Sequence, residues 1–432
     1  VPTSAEPAAL RVDADRLIGR LRELGQVGAI DGGGCARLAL TDADREGRDL
    51  VTMWMRDAGL EVAVDAIGNV VATRPGREPG PPVMCGSHVD TVATGGIYDG
   101  NLGVLAGLEV LETLNDGDIV TRRPVAVAFF TDEEGARFAP DMLGSLVYAG
   151  GLGVEEAHDI VSIDGARLGD ELERIGYLGP TPCPGLVPHA YVELHIEQGP
   201  VLDRAGEVVG AVTGIQGISW QELVITGQAN HAGTTPMEYR HDAGYAAAGV
   251  ATFVRRMVGE MDGRQVGTVG RLRLHPDLVN VVAARAVLTV DLRNTDEALL
   301  QEAERRLEVY LAELAAAEGV KIDRRPLARF EPVDFDPRII SLVEATAGSL
   351  GYSARRLPAG AGHDAQMLAR LCPAGMIFVP SVNGVSHNPA EFTEPEHLVA
   401  GANILLQMLV RLAEEDDIPG TAPGTGVGEG AP

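Results

Sequence analysis

The sequence predicts an α/β fold: a larger domain built on a sheet with helices on both faces, interrupted by a smaller α+β domain. Three observations lead there. Short apolar, β-prone runs alternate with helical periodicities along most of the chain. A central stretch instead combines several strand patterns with two long helical patterns. Gly and Pro break the periodicity at both ends of that stretch, near Thr213-Gly214 and Phe330–Pro332.

Taken in order, helical patterns are expected over Asp15–Leu24, over Thr41–Ala58 with Thr41 as N-cap, and over Gly103–Leu114. Strands are expected at Pro82–Cys85, Val125–Thr131 and Ala190–Leu194, apolar enough to be buried on both faces. The middle offers strands at Trp220–Thr226, Gly267–Leu274 and Ala286–Leu292. Its helices are expected at Ala243–Met261 and Asp296–Ala317. After it come helices at Arg338–Leu350 and Glu396–Leu412, with a strand at Gly375–Val379 between them. The larger domain is therefore expected from residues 10–213 and 330–412, and the inserted one from 214–329. Residues 1–9 and 415–432 are poor in large apolar side chains and are expected to be disordered tails.

Composition narrows the function classes. The 432 residues carry 35 Lys+Arg against 62 Asp+Glu, a net charge of −27. Such a charge repels phosphate backbones and anionic lipid, so neither a nucleic-acid nor a membrane partner is expected. Lys321 is the only lysine. A P-loop is therefore excluded, and Schiff-base chemistry is left one candidate in a charged stretch. The four cysteines, Cys35, Cys85, Cys183 and Cys372, lie far apart without a C-x-x-C pair, as in a reducing compartment. No apolar run reaches membrane-spanning length. Val1–Ala9 has neither a basic n-region nor an apolar h-region and does not read as a signal peptide. A soluble cytoplasmic protein is the expectation.

Polar residues suited to metal binding follow the strand-like runs, where ligands gather in open α/β sheets. Pro82–Cys85 leads into Gly86-Ser87-His88-Val89-Asp90-Thr91. Val125–Phe130 leads into Thr131-Asp132-Glu133-Glu134-Gly135. Tyr191–Leu194 leads into His195-Ile196-Glu197-Gln198-Gly199. Tyr98-Asp99-Gly100-Asn101 stands just before a helix, and Ser386-His387-Asn388-Pro389 follows the strand at 375–379. Singly, a His after a strand is commonly a hydrogen-bonded structural residue. Jointly, three His and several carboxylates at strand ends suit Zn²⁺, Mn²⁺ or Co²⁺.

These segments, with His231-Ala232-Gly233-Thr234-Thr235-Pro236-Met237, resemble the M20 family of di-metal amidohydrolases, and best its amidase, hydantoinase and carbamoylase branch. The resemblance runs from about Arg16 to Leu412. It implies a di-metal hydrolase domain with a central mixed sheet, plus an inserted α+β lid and dimerisation domain. It implies two divalent ions per subunit: His88 and His195 on one, Glu134 and His387 on the other, Asp99 bridging. Asp90 would orient His88, and Glu133 would be the general base. Relatives of the peptidase type generally carry a carboxylate where this chain has His195, which favours the carbamoylase branch.

The resemblance further implies that His231 reaches the site of a partner subunit to stabilise the oxyanion, hence a homodimer. Read without it, His231 is a turn residue. Arg293, with Asn280 beside it, would bind the substrate carboxylate through its planar fork; an ion pair with a neighbouring acid is the plainer reading of Arg293. Gln198, Gly362 and His363 would also face the substrate. His158, His189, His241, His275 and His397 read as structural or surface residues.

The expected reaction is hydrolysis of a linear C–N amide bond in a small ureido or amide carboxylate. An N-carbamoyl-L-amino acid, giving the amino acid, ammonia and carbon dioxide, is the leading substrate. The rivals are 3-ureidopropionate and allantoate (the β-ureidopropionase and allantoate amidohydrolase reactions), then N-acyl amino acids or dipeptides. A non-catalytic binding protein on the same fold is the reading from a different class. It is opposed by the retention of Glu133 and of every ligand position.

Overall fold

The computed structural model describes residues 10–261 and 264–416. Among the described residues thirteen strands are formed: β1 Glu61–Val64, β2 Val70–Arg74, β3 Val83–His88, β4 Val125–Phe130, β5 Ala190–Ile196, β6 Val209–Ile215, β7 Gly217–Thr226, β8 Val266–His275, β9 Arg285–Asn294, β10 Lys321–Phe330, β11 Val333–Asp334, β12 Ala354–Ala359 and β13 Ala374–Val379. By contact density the chain divides into two compact units. One ends at Gly214 and resumes at Asp334; the other is Ile215–Val333.

The first unit holds a mixed sheet in the order β1-β2-β4-β3-β5-β13-β6-β11, with β12 on β6. Its centre, β4-β3-β5-β13, is parallel, and every residue of those four strands is buried. Parallel strands covered on both faces explain why they read as continuous apolar runs. Around them the pairings turn antiparallel, β2 on β4 and β6 on β13. The α/β architecture with a central mixed sheet is thus as the sequence predicts.

Helices cover both faces. Gly103 and Gly107 of the helix Asn101–Asp116 lie against Ser87 and Cys85, and Gly401 of the helix Pro395–Glu414 lies against Leu194. The short helix Asp364–Leu368 packs on the opposite face, where the Ala365 N–H reaches Glu193. Thr41 caps the helix Asp42–Asp57, accepting from the Asp44 N–H.

The parallel core fixes where polar residues can emerge. The β3–β4 connection runs to one side of β3, whereas β5 pairs with its other side and leads on to β13. A topological switch point therefore lies between β3 and β5, at the carboxyl edge of the sheet.

The second unit is an antiparallel sheet in the order β10-β7-β9-β8. The helices Ala243–Glu260 and Glu297–Glu318 pack on it through Leu223, Ile225, Leu288, Val290, Val250, Val254, Leu300 and Leu307. Asp242 and Asp296 cap the two helices. Alternate residues of β9 are buried against them, so Asp291 and Arg293 share the other face.

Differences from the sequence expectation are local. β1, β2, β6, β10, β11 and β12 are not among the strands the sequence predicts; half of the residues of β10 are polar, most are exposed, and the period-2 signal is lacking. Lys321, at its start, forms a surface ion pair with Asp323. The chain remains tied down to Asp416, which pairs with Arg122, although a tail was expected from 415. The other expected tail residues, 1–9 and 417–432, lie outside the described residues.

Candidate metal centre

Four strand ends and one helix start converge at the carboxyl edge of the large sheet. His88 ends β3, His195 lies near the end of β5, Glu133 and Glu134 follow β4, and His387 follows β13. Met84 pairs with Tyr191; carrying that register forward sets His88 level with His195, and their rings lie 6.0 Å apart. Asp99 sits two residues before the helix Asn101–Asp116. Gly100, between them, has φ of 66°, and a Cβ there would lie 2.4 Å from the His88 ring. A glycine is required on both counts.

Asp99 is the hub. Its Oδ1 is 3.2 Å from His195 Nε2 and 3.8 Å from His88 Nε2. Its Oδ2 is 3.3 Å from His387 Nε2, which is itself 3.2 Å from Glu134 Oε2. Besides the buried group Glu193-His195-His363, two potential ligand sets contain Asp99, His88-Asp99-His195 and Asp99-Glu134-His387, each with its atoms within 4.8 Å of one another. They share Asp99 through different oxygens.

The residues fit divalent ions. Ligand atoms about 2.1 Å from a tetrahedral ion lie about 3.4 Å apart, close to the separations found. His88 Nδ1 meets the Asp90 carbonyl at 2.9 Å and His195 Nδ1 meets the Ile196 carbonyl at 2.8 Å. A carbonyl only accepts, so each Nδ1 carries a proton and each Nε2 turns to Asp99, the orientation metal-binding imidazoles need. Glu134 Oε1 is buried without a hydrogen-bond partner.

Electrostatics points the same way. Burial pushes the Glu133 carboxyl well above its ordinary range, reinforced by Asp364 and Glu134. Burial likewise raises Asp90, to about 6. Burial opposes a charged His88, yet Asp90, Glu134 and Asp99 outweigh it and raise the ring to about 9. Hydrogen bonds to Asp99 and Glu134 raise His387 to about 11. Buried carboxylates crowded this closely need compensating positive charge, which divalent ions supply while displacing protons from the ligands.

One expected contact is made differently. The Asp90 carboxylate was expected to orient His88, but its carbonyl does so, and its Oδ1 stands 4.0 Å from His88 Nδ1. The carboxylate instead accepts the backbone N–H groups of Glu133 and Glu134, at 3.3 Å each. Glu133 Oε2 lies 3.3 Å from His88 Nε2, at the centre of the cluster.

Gln198 and His363 also line this place. Gln198 donates through Nε2 to Asp99 Oδ2 at 2.9 Å. The buried His363 ring packs edge-on against His195 at 4.5 Å, and its Nε2 lacks a hydrogen-bond partner. Gly362 sits two residues ahead of the helix Asp364–Leu368, its Cα side facing Met142. Sequence reasoning missed the support beneath them: buried Glu193 accepts the Ser87 hydroxyl at 2.7 Å and the Ala365 N–H at 2.8 Å. A lone acid inside an apolar strand was the available signal.

His231, Asn280 and Arg293 belong to the second unit. His231 bridges to Val281, and the Ala232 N–H donates to the Asn280 carbonyl, so the His231 and Asn280 loops are neighbours. His231 Nδ1 accepts from the Gly233 N–H at 3.0 Å, leaving Nε2–H as an exposed donor. Arg293 is held by Asp291 through Nε and Nη2 and lies over the Trp220 ring at 5.5 Å.

Residues 84–411 match the family described as peptidase family M20/M25/M40. The chain belongs to the M20 family. It is 43% identical to N-carbamoyl-L-amino-acid amidohydrolase from Rhizobium meliloti, over 94% of this chain and 97% of that one. It is 34% identical to allantoate amidohydrolase from Escherichia coli, over 90% and 96% of the two chains. Among solved structures it is similar to an amidase of the hydantoinase/carbamoylase family from Burkholderia multivorans. That likeness has a TM-score of 0.88 at 44% identity, covering 94% of this chain and 99% of the other. This M20 member is thus placed among enzymes of the amidase, hydantoinase and carbamoylase branch. Among the described residues, no helix is long and apolar enough to cross a membrane.

Proposed function

We propose that this M20 enzyme hydrolyses an N-carbamoyl-L-amino acid to the L-amino acid, ammonia and carbon dioxide. The observation that carries the reading is the carboxylate of Asp99 divided between an all-imidazole pair, His88 and His195, and the Glu134–His387 pair. His88, His195 and Asp99 would hold one divalent ion, and Asp99, Glu134 and His387 the other; Zn²⁺, Mn²⁺ and Co²⁺ all suit these donors. When bound, two such ions supply Lewis acidity to a carbonyl and to an attacking water.

The chain's own residues do the rest. Glu133, buried with a raised proton affinity, is suited to take a proton from water and deliver it to the leaving nitrogen. Water oxygen bonds to the carbamoyl carbon, the C–N bond breaks, and the carbamate formed decomposes to ammonia and carbon dioxide. Gln198 would face the ureido group. Arg293 and Asn280 would bind the carboxylate, and the loop of Gly362 and His363 resembles one whose backbone contacts that group. His231 Nε2–H would donate to the developing oxyanion of a partner subunit in a homodimer. The inserted unit would act as lid and dimerisation domain. A cytoplasmic setting agrees with four free cysteines.

The test is turnover by protein reconstituted with Mn²⁺ or Zn²⁺ on N-carbamoyl-L-amino acids, 3-ureidopropionate, allantoate and an N-acetyl amino acid side by side. Preference for N-carbamoyl-L-amino acids supports the proposal. Preference for allantoate would favour the reaction named for the Escherichia coli relative. Turnover of only the N-acetyl compound would overturn the ureido reading and leave the metal centre standing.

A further inference from the structure

Glu391 lies four residues beyond His387, in Ser386-His387-Asn388-Pro389-Ala390-Glu391. It is an acid with 5% of its surface exposed, and it belongs to none of the potential ligand sets among the described residues. Its Oε1 accepts the backbone N–H groups of Tyr98 and Asp99, each at 3.2 Å. Its Oε2 accepts the Ser386 hydroxyl at 2.8 Å, and Ser386 Oγ is also 3.3 Å from Asp99 Oδ2. One carboxylate therefore ties the loop carrying Asp99 to the loop carrying His387, through the residues next to each.

The chain leaves room for this side chain. A Cβ on Gly96 would lie 2.1 Å from Glu391 Oε1 and 2.5 Å from its Cβ. Gly96 has no left-handed backbone to account for it. Its lack of a side chain is explained by the space Glu391 fills.

We infer that Glu391 is a positioning residue of the metal centre, fixing Asp99 against His387 so that both can serve one ion; this rests on the two-ion reading above. Partners of this kind typically change metal affinity about 10–100-fold when removed. Gln at 391 would keep an acceptor for both N–H groups. It would also present an N–H to Ser386 Oγ, whose proton would turn to Asp99. Ala would remove every tie.

The experiment titrates Co²⁺ into chelator-treated full-length protein, following stoichiometry by calorimetry and the visible absorption bands of Co²⁺. The proteins are wild type, Glu391→Gln, Glu391→Ala, Gly96→Ala and Ser386→Ala, with thermal melts and kcat and KM alongside. In the expected result, wild type and Glu391→Gln bind two ions with similar spectra. Glu391→Ala and Gly96→Ala bind one of the two about 10–100-fold more weakly, with altered bands, and lose kcat more than KM. Should Glu391→Ala not fold, Gly96→Ala and Ser386→Ala apply the same displacement more gently. Two ions at wild-type affinity and spectrum in the folded Ala variants would overturn the inference alone. Glu391→Gln as impaired as Glu391→Ala would also overturn it, in favour of a role for charge. Fewer than two ions in wild type would instead overturn the two-ion reading, and the inference with it.

Discussion

Asp90 holds Glu133 by its backbone: Oδ1 accepts the Glu133 N–H at 3.3 Å, while Oδ2 accepts the Glu134 N–H at the same distance. Asp90, two residues beyond the end of β3, thereby sets the height of both glutamates after β4. Asp90→Asn would turn an amide N–H toward one of those donors. We expect kcat to fall about 100-fold, the cost of misplacing a reacting group by roughly 1 Å, with KM little changed. Steady-state kinetics of the metal-reconstituted variant checks this, and an unaltered kcat would reject it.

Glu133→Gln should separate base from ligand. The potential ligand sets do not include Glu133, so two ions should remain bound. Turnover should fall about 10²–10⁴-fold, the usual range for general-base removal. Elemental analysis beside kcat reads both halves. Loss of metal would reassign Glu133 as a ligand.

Arg293→Ala should act on binding. The guanidinium is already oriented by Asp291 and the Trp220 ring, so under the proposed role a substrate carboxylate would meet an ordered fork. A charge-assisted hydrogen bond is worth about 1.5–3 kcal/mol, which corresponds to a KM increase of about 10–100-fold. The same substitution should leave the KM of a carboxamide analogue nearly unchanged. Equal losses on both substrates would place carboxylate recognition elsewhere.

Arg48→Met tests the fold. Arg48 and Asp44 are fully buried, paired at 2.7 Å, and Arg48 also donates to the Gly68 carbonyl at 2.8 Å. Removing one partner strands a buried charge, at a cost of about 3–5 kcal/mol. Urea denaturation should show this loss, and Asp44→Leu added to Arg48→Met should recover part of it. A double variant no better than the single would show that the lost Gly68 and packing contacts dominate.

The long helices and the central parallel strands are legible because burial on both faces writes a continuous hydrophobic run, and amphipathic helices write a 3.6-residue period; β2 and β6, though apolar, are not among the predicted strands. The strand β10 carries no such signature. It forms because its neighbour supplies hydrogen-bond partners: Arg324 and Arg325 on β10 reach Gln221 and Glu222 of β7. Glu391 was illegible for a related reason. Nothing distinguishes its sequence position from that of a solvated acid, and its role exists only once Tyr98 and Ser386 are brought around it.

The sequence by itself determined the chemistry available. His88, Asp99, Glu133, Glu134, His195 and His387 stand at strand and helix ends, and side-chain type sets which ions and protons each can hold. Only the tertiary structure decided how they combine. The β3–β5 register levels two imidazoles, Gly100 lets Asp99 approach them, and the parallel order of β4-β3-β5-β13 brings every strand end to one edge. It also decided which part of Asp90 meets His88, the carbonyl rather than the carboxylate. That choice depends on backbone direction, which local sequence does not encode, because it is imposed by the strands on either side.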